Sequence, residues 1–143
     1  MMTRKASGCI VFKNEGAGLR ILLVTSSDRR NWVIPKGGVE LNLSSRESAL
    51  KEVQEEAGVT GNVGVKLGEF AYLKNGMINE VQVYAMEYTG EVAESEDRET
   101  EWFSVEEAIG VLDSYVAVFV ARLASMAAAL ENHELKKKEL GII

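Results

Sequence analysis

Short runs of apolar residues separated by turn residues dominate the first part of the chain and predict β-strands. Residues 8–13 and 19–25 flank a turn cluster at 14–18, and this arrangement predicts a hairpin. Residues 80–88 begin with alternating apolar and polar side chains, as a half-buried strand does. Two further strands are expected at residues 62–73, where Gly64 and Gly68 interrupt the pattern, and at residues 101–103.

Helical segments are marked by capping signals. Ser44 and Glu47 have the S-x-x-E spacing of a capping box, which predicts a helix that begins near Ser45 and ends at a turn at Gly58. A second capping box, Ser104 with Glu107, predicts a short helix to about residue 112. Residues 113–140 have a long helical pattern, and its polar end at 133–138 is expected to fray. The long helix has one apolar face, formed by Val116, Phe119, Val120, Leu123, Met126, Ala127 and Leu130.

The first helix combines an apolar stripe with three carboxylates along the edge of that stripe. At about 100° per residue, Glu52, Glu55 and Glu56 lie within an arc of about 100°. Glu52 and Glu56 are four residues apart, a spacing at which like charges repel by a few tenths of a kcal/mol, and no Lys or Arg stands four residues from either. A divalent cation such as Mg²⁺ would offset this repulsion, whereas the alternative is an ordinary solvated acidic face. The stripe itself is formed by Ala49, Leu50, Val53 and Ala57.

Composition is that of a globular protein and narrows the functional classes. The chain has 143 residues, 46% hydrophobic and 27% charged, which predicts a single domain over residues 1–143. The irregular alternation of predicted strands and helices indicates a mixed α/β layer architecture. The net charge of -6 argues against a general nucleic-acid-binding surface. Cys9 alone cannot form an intramolecular disulfide and fits a reducing compartment. We expected no targeting segment and no apolar run approaching the ~20 residues of a membrane span, and hence a cytoplasmic protein without a membrane partner.

The stretch from Gly37 to Val59, GGVELNLSSRESALKEVQEEAGV, resembles the Nudix box of the MutT/Nudix pyrophosphohydrolases. The residues that match in register are Gly37, Glu52, Val53, Glu55, Glu56, Gly58 and Val59. Two positions depart from the motif, because Leu43 replaces a glutamate and Lys51 replaces the arginine that orients the catalytic carboxylates in the family. Lysine keeps the charge but lacks the planar fork, so the replacement is not neutral.

The resemblance implies a Nudix-type α/β/α sandwich with a mixed β-sheet between helices, and hydrolysis of a diphosphate linkage in a nucleoside-diphosphate-X substrate. It implies Mg²⁺ as the cofactor, with Mn²⁺ as an alternative, bound by Glu52, Glu55, Glu56 and the backbone carbonyl at Lys36. We assign Glu55 as the general base and retain Glu52 as a candidate, because family members differ on this point. The residues expected to support the structure of the box are Gly37, Gly38, Lys51 and Gly58.

Several basic residues are candidates for binding substrate phosphates. Lys36, Arg29 and Arg30 lie in or near the loop before the box, although simple solvation of the arginine pair is an equal alternative. The lead-in, the box and the run from Glu101 to Glu106 look most like the branch of diadenosine polyphosphate and diphosphoinositol polyphosphate hydrolases. Members acting on inositol pyrophosphates place basic residues before the first strand, where this chain retains Arg4 and Lys5.

The second basic region of that branch is acidic in this chain. Glu94, Glu96 and Asp97 precede Arg98 and Glu99, and such a surface should repel a polyanion. A small-molecule nucleotide is therefore the expected substrate, with dinucleoside polyphosphates first and a diphosphoinositol polyphosphate as the alternative. Tyr72 and Tyr84 are candidates for stacking on a base, with core packing favoured for both. A catalytically weak Nudix-fold nucleotide-binding module is the alternative of another class, and the oligomeric state is left open between monomer and homodimer.

Overall fold

One mixed sheet organises the part of the chain that the computed structural model describes, which comprises residues 2–93, 96 and 98–141. Within that part, seven strands belong to the sheet. The elements are β1 Met2–Glu15, β2 Gly18–Thr25, β3 Trp32–Val33, β4 Lys36–Gly38, α1 Ser45–Ala57, β5 Val59–Lys74, β6 Met77–Glu91, β7 Thr100–Ser104, α2 Val105–Val111 and α3 Ser114–Glu139.

Strand β1 lies at the centre of the sheet. The order is β3-β2-β1-β6-β5, with β4 paired to β1 and β7 paired to β2. β1 runs parallel to β6, whereas the other strand pairs are antiparallel, so the predicted mixed sheet is confirmed. The predicted hairpin is β1–β2, in which Val11 lies opposite Leu22 and Glu15 lies opposite Gly18.

The two faces of the sheet are covered by different helices, as the sandwich prediction requires. On one face, Ala49 and Val53 of α1 pack in a buried cluster with Cys9 and Val11 of β1. On the other face, residues of α2 and α3 pack against alternate side chains of the same strand, such as Ile10. Because successive side chains of a strand point to opposite faces, one central strand serves both cores.

The capping signals were correct at both sites. The Ser44 side chain accepts a hydrogen bond from the Glu47 backbone N–H, and the Glu47 side chain accepts one from the Ser44 N–H. The same reciprocal pair joins Ser104 and Glu107 before α2. Gly58 closes α1 with φ of 68°, a left-handed conformation that glycine adopts without strain.

Four sequence-based expectations about elements need correction. Residues 36–38 were expected in a loop, but they form β4 against Ala6–Gly8 of β1. β5 begins at Val59 rather than at residue 62, and shifts of register interrupt its pairing near Gly64 and Gly68. β6 extends from Met77 to Glu91, beyond both ends of the strand expected at residues 80–88. The polar end expected to fray is helical in α3 to Glu139.

The long helix α3 extends its apolar face beyond the core. Val116, Phe119, Val120 and Leu123 are buried, whereas Met126 is 38% and Leu130 68% exposed. By length and composition alone, this helix is long and apolar enough to cross a membrane, with a mean hydropathy of 1.4 over its most apolar stretch. The expectation that no such run exists was therefore wrong. A mostly buried core helix passes the same test, but only 28% of this stretch is buried, and the buried residues lie in the first half of α3.

Candidate active site

Helix α1 presents its glutamates beside its buried face. Ala49 and Val53 are fully buried against the sheet, and Ala57 is nearly so. This burial fixes the rotation of the helix about its axis, because an apolar stripe removed from water resists turning outward. Glu52, Glu55 and Glu56 consequently lie along the edge of the helix that meets β4 and the segment after β6.

Glu56 is the most buried of the three carboxylates. Its Oε2 accepts a hydrogen bond of 3.0 Å from the backbone N–H of Lys36, and its Oε1 lies 3.6 Å from the Arg98 guanidinium. Burial nevertheless raises the pKa of Glu56 to about 7, against the opposing effects of Arg98 and the Lys36 amide. A second positive charge beside this carboxylate would therefore be strongly favoured.

Glu52 lies against the backbone of the box glycine. A Cβ atom at Gly37 would overlap the Glu52 carboxylate, so the absence of a side chain at Gly37 is what lets the carboxylate approach the strand. Partial burial raises the pKa of Glu52, and the neighbouring charges of Glu55, Glu96 and Glu40 raise it further, with Lys51 opposing them. Glu52 thus stands in a locally negative environment.

Lys51 occupies the position of the family arginine and contacts two carboxylates. Its Nζ lies 2.6 Å from Oε1 of Glu40 and 3.5 Å from Oε1 of Glu55. Of the two glutamates that lie four residues from Lys51 in the helix, Glu55 contacts it, whereas Glu47 caps the helix. Glu40 was not predicted, because its eleven-residue separation from Lys51 carries no local signal. A groove of about 400 Å³ lies beside Glu55 and is lined by Lys51, Gln54, Glu55, Val92 and Ala93.

Arg98 is the residue near these glutamates that the sequence interpretation missed. We expected no basic partner for Glu56, but Arg98 approaches it from the segment after β6. The same guanidinium lies 2.8 Å from Oε2 of Glu96 and donates to the Thr25 carbonyl at 3.4 Å. Helical spacing could not reveal this contact, because it joins residues that are distant in sequence.

The acidic segment at residues 94–99 follows β6, and the structure describes three of its residues, Glu96, Arg98 and Glu99. The backbone N–H of Glu96 donates to the Glu55 carbonyl, and Glu99 exchanges hydrogen bonds with Thr25 at the end of β2. This part of the segment therefore packs against the carboxyl end of α1. Glu94 and Asp97, the other acidic residues of the predicted surface, lie outside the described residues.

Three of the predicted phosphate-binding residues meet at β4: Lys36 belongs to it, and Arg4 and Lys5 contact it from within β1 rather than from before the first strand. The Lys36 backbone contacts Glu56, but its Nζ lies 5.2 Å from the centre of the Tyr72 ring. The Arg4 guanidinium lies against Gly38, where a Cβ atom would meet it. Lys5 is exposed and anchors the box through its carbonyl, which accepts from the Val39 N–H at 2.9 Å.

The arginine pair and Tyr84 lie apart from these contacts. Arg29 and Arg30 are exposed in the turn between β2 and β3, which begins beside the Thr25 carbonyl that Arg98 contacts. Tyr84 is 7% exposed, its ring is covered by Arg46, and its hydroxyl donates to Gln82. Of the two tyrosines considered for base stacking, Tyr84 is thus a core residue.

The donor chemistry at α1 fits a magnesium ion. Within residues 2–93, 96 and 98–141, no three His, Cys, Asp or Glu side chains are grouped as a ready-made metal site. Magnesium does not require such a cage, because it usually keeps several waters and takes one or two carboxylates together with substrate phosphates. Glu52 and Glu56 supply suitable oxygens, both with pKa values raised by burial, and the Lys36 peptide lies beside Glu56.

Comparison with known proteins gives the family and the fold of the chain. The NUDIX domain family model matches residues 2–123. The human protein named diphosphoinositol polyphosphate phosphohydrolase 3-alpha is 35% identical to this chain over 131 aligned residues, which cover 86% of this chain and 77% of the relative. A bovine protein named diphosphoinositol polyphosphate phosphohydrolase 3-beta matches to the same extent. The crystal structure of the C. elegans Ap4A hydrolase superposes with a TM-score of 0.76 at 18% identity, covering 88% of this chain and 99% of that one, and shows the same fold.

The family match extends over most of the chain, and the box helix, its caps and the close approach of Glu52 to Gly37 are formed in the structure. Lys51 stands where the family has an arginine that orients the catalytic carboxylates, and it contacts one of them, Glu55. The chain belongs to the Nudix family and is a pyrophosphohydrolase.

Proposed function

We propose that this protein hydrolyses the diphosphate linkage of a small-molecule nucleotide, with dinucleoside polyphosphates such as diadenosine tetraphosphate as the preferred class. The observation that carries this proposal is the packing of Glu96 and Arg98 against the carboxyl end of α1. Arg98 is engaged by Glu56 and Glu96, and so its charge is already largely compensated. The edge of the site therefore offers few positive charges to a densely phosphorylated ring.

The reaction is attack of water on a phosphorus atom with release of a phosphorylated product. Bound magnesium neutralises phosphate charge and lowers the pKa of water. Glu52 and Glu56 hold the cation in this proposal, together with the Lys36 carbonyl. Glu55 accepts the proton of the attacking water, since its side chain is 45% exposed and borders the groove; Glu52 is the alternative base.

Lys51 supports this machinery by holding Glu55 and Glu40 in place. An ammonium group bound to two carboxylates at 2.6 and 3.5 Å restricts both side chains, as the family arginine is expected to do. This contact speaks against the alternative of a catalytically weak binding module, which Lys51 and Leu43 had raised. Formation of nucleoside phosphate products from a nucleotide panel, with and without magnesium, tests this alternative directly.

A second substrate class is favoured by a different observation. The curated relatives that are 35% identical are named as phosphohydrolases of diphosphoinositol polyphosphates. Such a substrate needs a dense cradle of Arg and Lys, and Arg4, Lys5 and Lys36 are available near the box for part of one. We rank this class second because the Glu96 carboxylate lies close enough to Glu52 to raise its pKa, and so adds negative charge beside the site.

Competition between the two substrates decides the ranking. Diadenosine tetraphosphate and a diphosphoinositol pentakisphosphate are supplied at equal concentration with matched free magnesium, and both products are followed. Faster cleavage of the dinucleotide supports the proposal, and clear preference for the inositol substrate overturns it. Glu96→Lys should shift the ratio toward the inositol substrate, whereas Glu131→Lys on the exposed part of α3 should leave it unchanged.

Three further properties stay predictions. Magnesium as the physiological metal rests on the oxygen donor set, with manganese as the alternative. A cytoplasmic location rests on the single buried cysteine. The choice between monomer and homodimer awaits a measurement of mass in solution.

A further inference from the structure

A buried hydroxyl on the central strand faces the glutamate-bearing helix. Ser7 of β1 is 0% exposed, and its Oγ has no hydrogen-bond partner among residues 2–93, 96 and 98–141. A buried polar group left unpaired costs roughly 1–3 kcal/mol. Such groups are rare in native proteins, and a bound water or ion is a common explanation for them. The hydroxyl of Ser7 therefore requires a partner outside the described protein atoms.

The strand register places Ser7 next to the box glycine. Ser7 lies directly opposite Gly37 in the antiparallel pair β1–β4. Residues opposite each other in a ladder have side chains on the same face, with Cβ atoms about 4.5–5.5 Å apart. Cys9, two residues along β1, packs with Ala49 and Val53 of α1, so this is the face that α1 covers.

Glu52 occupies the space that a side chain at Gly37 would fill. A Cβ atom there would overlap the Glu52 carboxylate. The hydroxyl of Ser7 and the carboxylate of Glu52 are consequently neighbours on one face of the sheet, within reach of a single water. The charged groups around Glu52 are otherwise mainly carboxylates, Glu40, Glu55 and Glu96, none of which can donate a hydrogen bond when ionised.

We propose that Ser7 is a positioning residue of the metal site. Its hydroxyl donates a hydrogen bond to a water that bridges to the Glu52 carboxylate, and this contact holds the carboxylate in the orientation that binds magnesium. A water can fill this role because it pairs a buried polar group at little entropic cost. The inference rests on the proposed metal site and adds a residue that lies outside the box.

Magnesium binding to the purified protein, without substrate, tests this role. We expect Ser7→Ala to weaken magnesium affinity about 10-fold by calorimetry, since loss of an outer contact to a metal ligand typically has an effect of that size. The melting temperature of the metal-free variant should change little, because the hydroxyl that is removed makes no hydrogen bond to a described protein atom. The stabilisation by magnesium should be smaller than in the wild type.

Ser45 provides a matched control. Its hydroxyl is the other buried side-chain atom without a partner in the described residues, and it lies seven residues before Glu52, roughly 10 Å along the helix axis. Ser45→Ala should retain the wild-type magnesium affinity. Equal magnesium affinity in Ser7→Ala and wild type would overturn the role of Ser7 alone. A wild-type protein that hydrolyses nucleotides without binding magnesium would overturn the metal site itself, and the role of Ser7 with it.

Discussion

Glu55 borders the buried face of α1 without belonging to it, so its chemistry can be tested apart from folding. Its side chain is 45% exposed and contacts Lys51 at 3.5 Å. We expect Glu55→Gln to lower kcat by ~10²–10⁴-fold, the usual contribution of a general base. The melting temperature should change little, because exposed ion pairs contribute little to stability.

The control for Glu55 is a carboxylate of the same kind outside the site. Glu131→Gln, on the exposed part of α3, should leave both kcat and melting temperature unchanged. Retention of most activity in Glu55→Gln would remove this residue from the mechanism and leave Glu52 as the base.

Glu56 should make stability depend on pH in the absence of divalent cations. Its pKa is about 7 in the folded protein and near 4.5 in the unfolded chain, so the folded state binds more protons between these values. The free energy of unfolding therefore falls as the pH rises from about 4.5 to 7, by roughly 3 kcal/mol for a shift of this size.

Urea unfolding in EDTA at pH 5 and pH 8 measures this effect. Glu56→Gln cannot titrate, so the stability of the wild type relative to this variant should decline between the two pH values. Parallel behaviour of the two proteins would contradict the raised pKa of Glu56.

The sequence predicted site residues where their relations are local. Helical spacing indicated that Glu52, Glu55 and Glu56 share one edge of the helix. It could not indicate Arg98, which reaches Glu56 from a segment some forty residues further on. The role proposed for Ser7 depends on strand register and burial, neither of which has a signature in the residues around it.

Strand β4 is the element on which the site depends most directly. Gly37→Ala would place a Cβ atom on the Glu52 carboxylate. Because that carboxylate is the end of a flexible side chain, we expect it to move away at little cost in stability. Activity should fall at least about 10-fold, since a misplaced catalytic group of this kind has large effects on rate.

Gly110→Ala is the matched glycine control. No atom lies within 4 Å of the position that its Cβ would take, and alanine is favoured over glycine within a helix such as α2. This variant should be as active as the wild type and at least as stable. If Gly37→Ala behaves in the same way when kcat and melting temperature are measured, the placement of Glu52 against β4 is incorrect.

Helix ends could be predicted because their signals lie within a few residues. A short strand that forms only by pairing with a distant strand could not be predicted. Both capping boxes and Gly58 marked helix ends correctly, because the donors and acceptors involved lie within a few residues. The Pro-Lys-Gly-Gly run has the composition of a loop, and its strand conformation comes only from pairing with Ala6–Gly8. A strand of three residues has no periodicity to detect.

At the scale of the whole molecule, only the first half of α3 contributes residues to the buried core. The buried residues of α3 stop at Leu123, and Leu130 and Leu135 are largely exposed. Deletion of residues 131–143 should therefore retain full kcat and shift the melting temperature by only a few degrees.

A longer deletion should have the opposite outcome. Ending the chain at residue 117 removes Phe119, Val120 and Leu123 from the core, and we expect loss of cooperative unfolding by circular dichroism. Unfolding of the shorter deletion, 131–143, would show that the exposed half of α3 stabilises the fold through contacts beyond those of the described core.

The parallel pairing of β1 with β6 affects when the active site forms during folding. Its partners, from Met2↔Met77 to Phe12↔Glu87, lie about 75 positions apart in sequence, and closing so long a loop costs entropy before the contacts compensate for it. During synthesis, the complete box emerges from the ribosome before β6 exists, at a time when β1 has β2 and β4 as partners but lacks β6 on its other side. In refolding, activity should return together with burial of the core and not ahead of it.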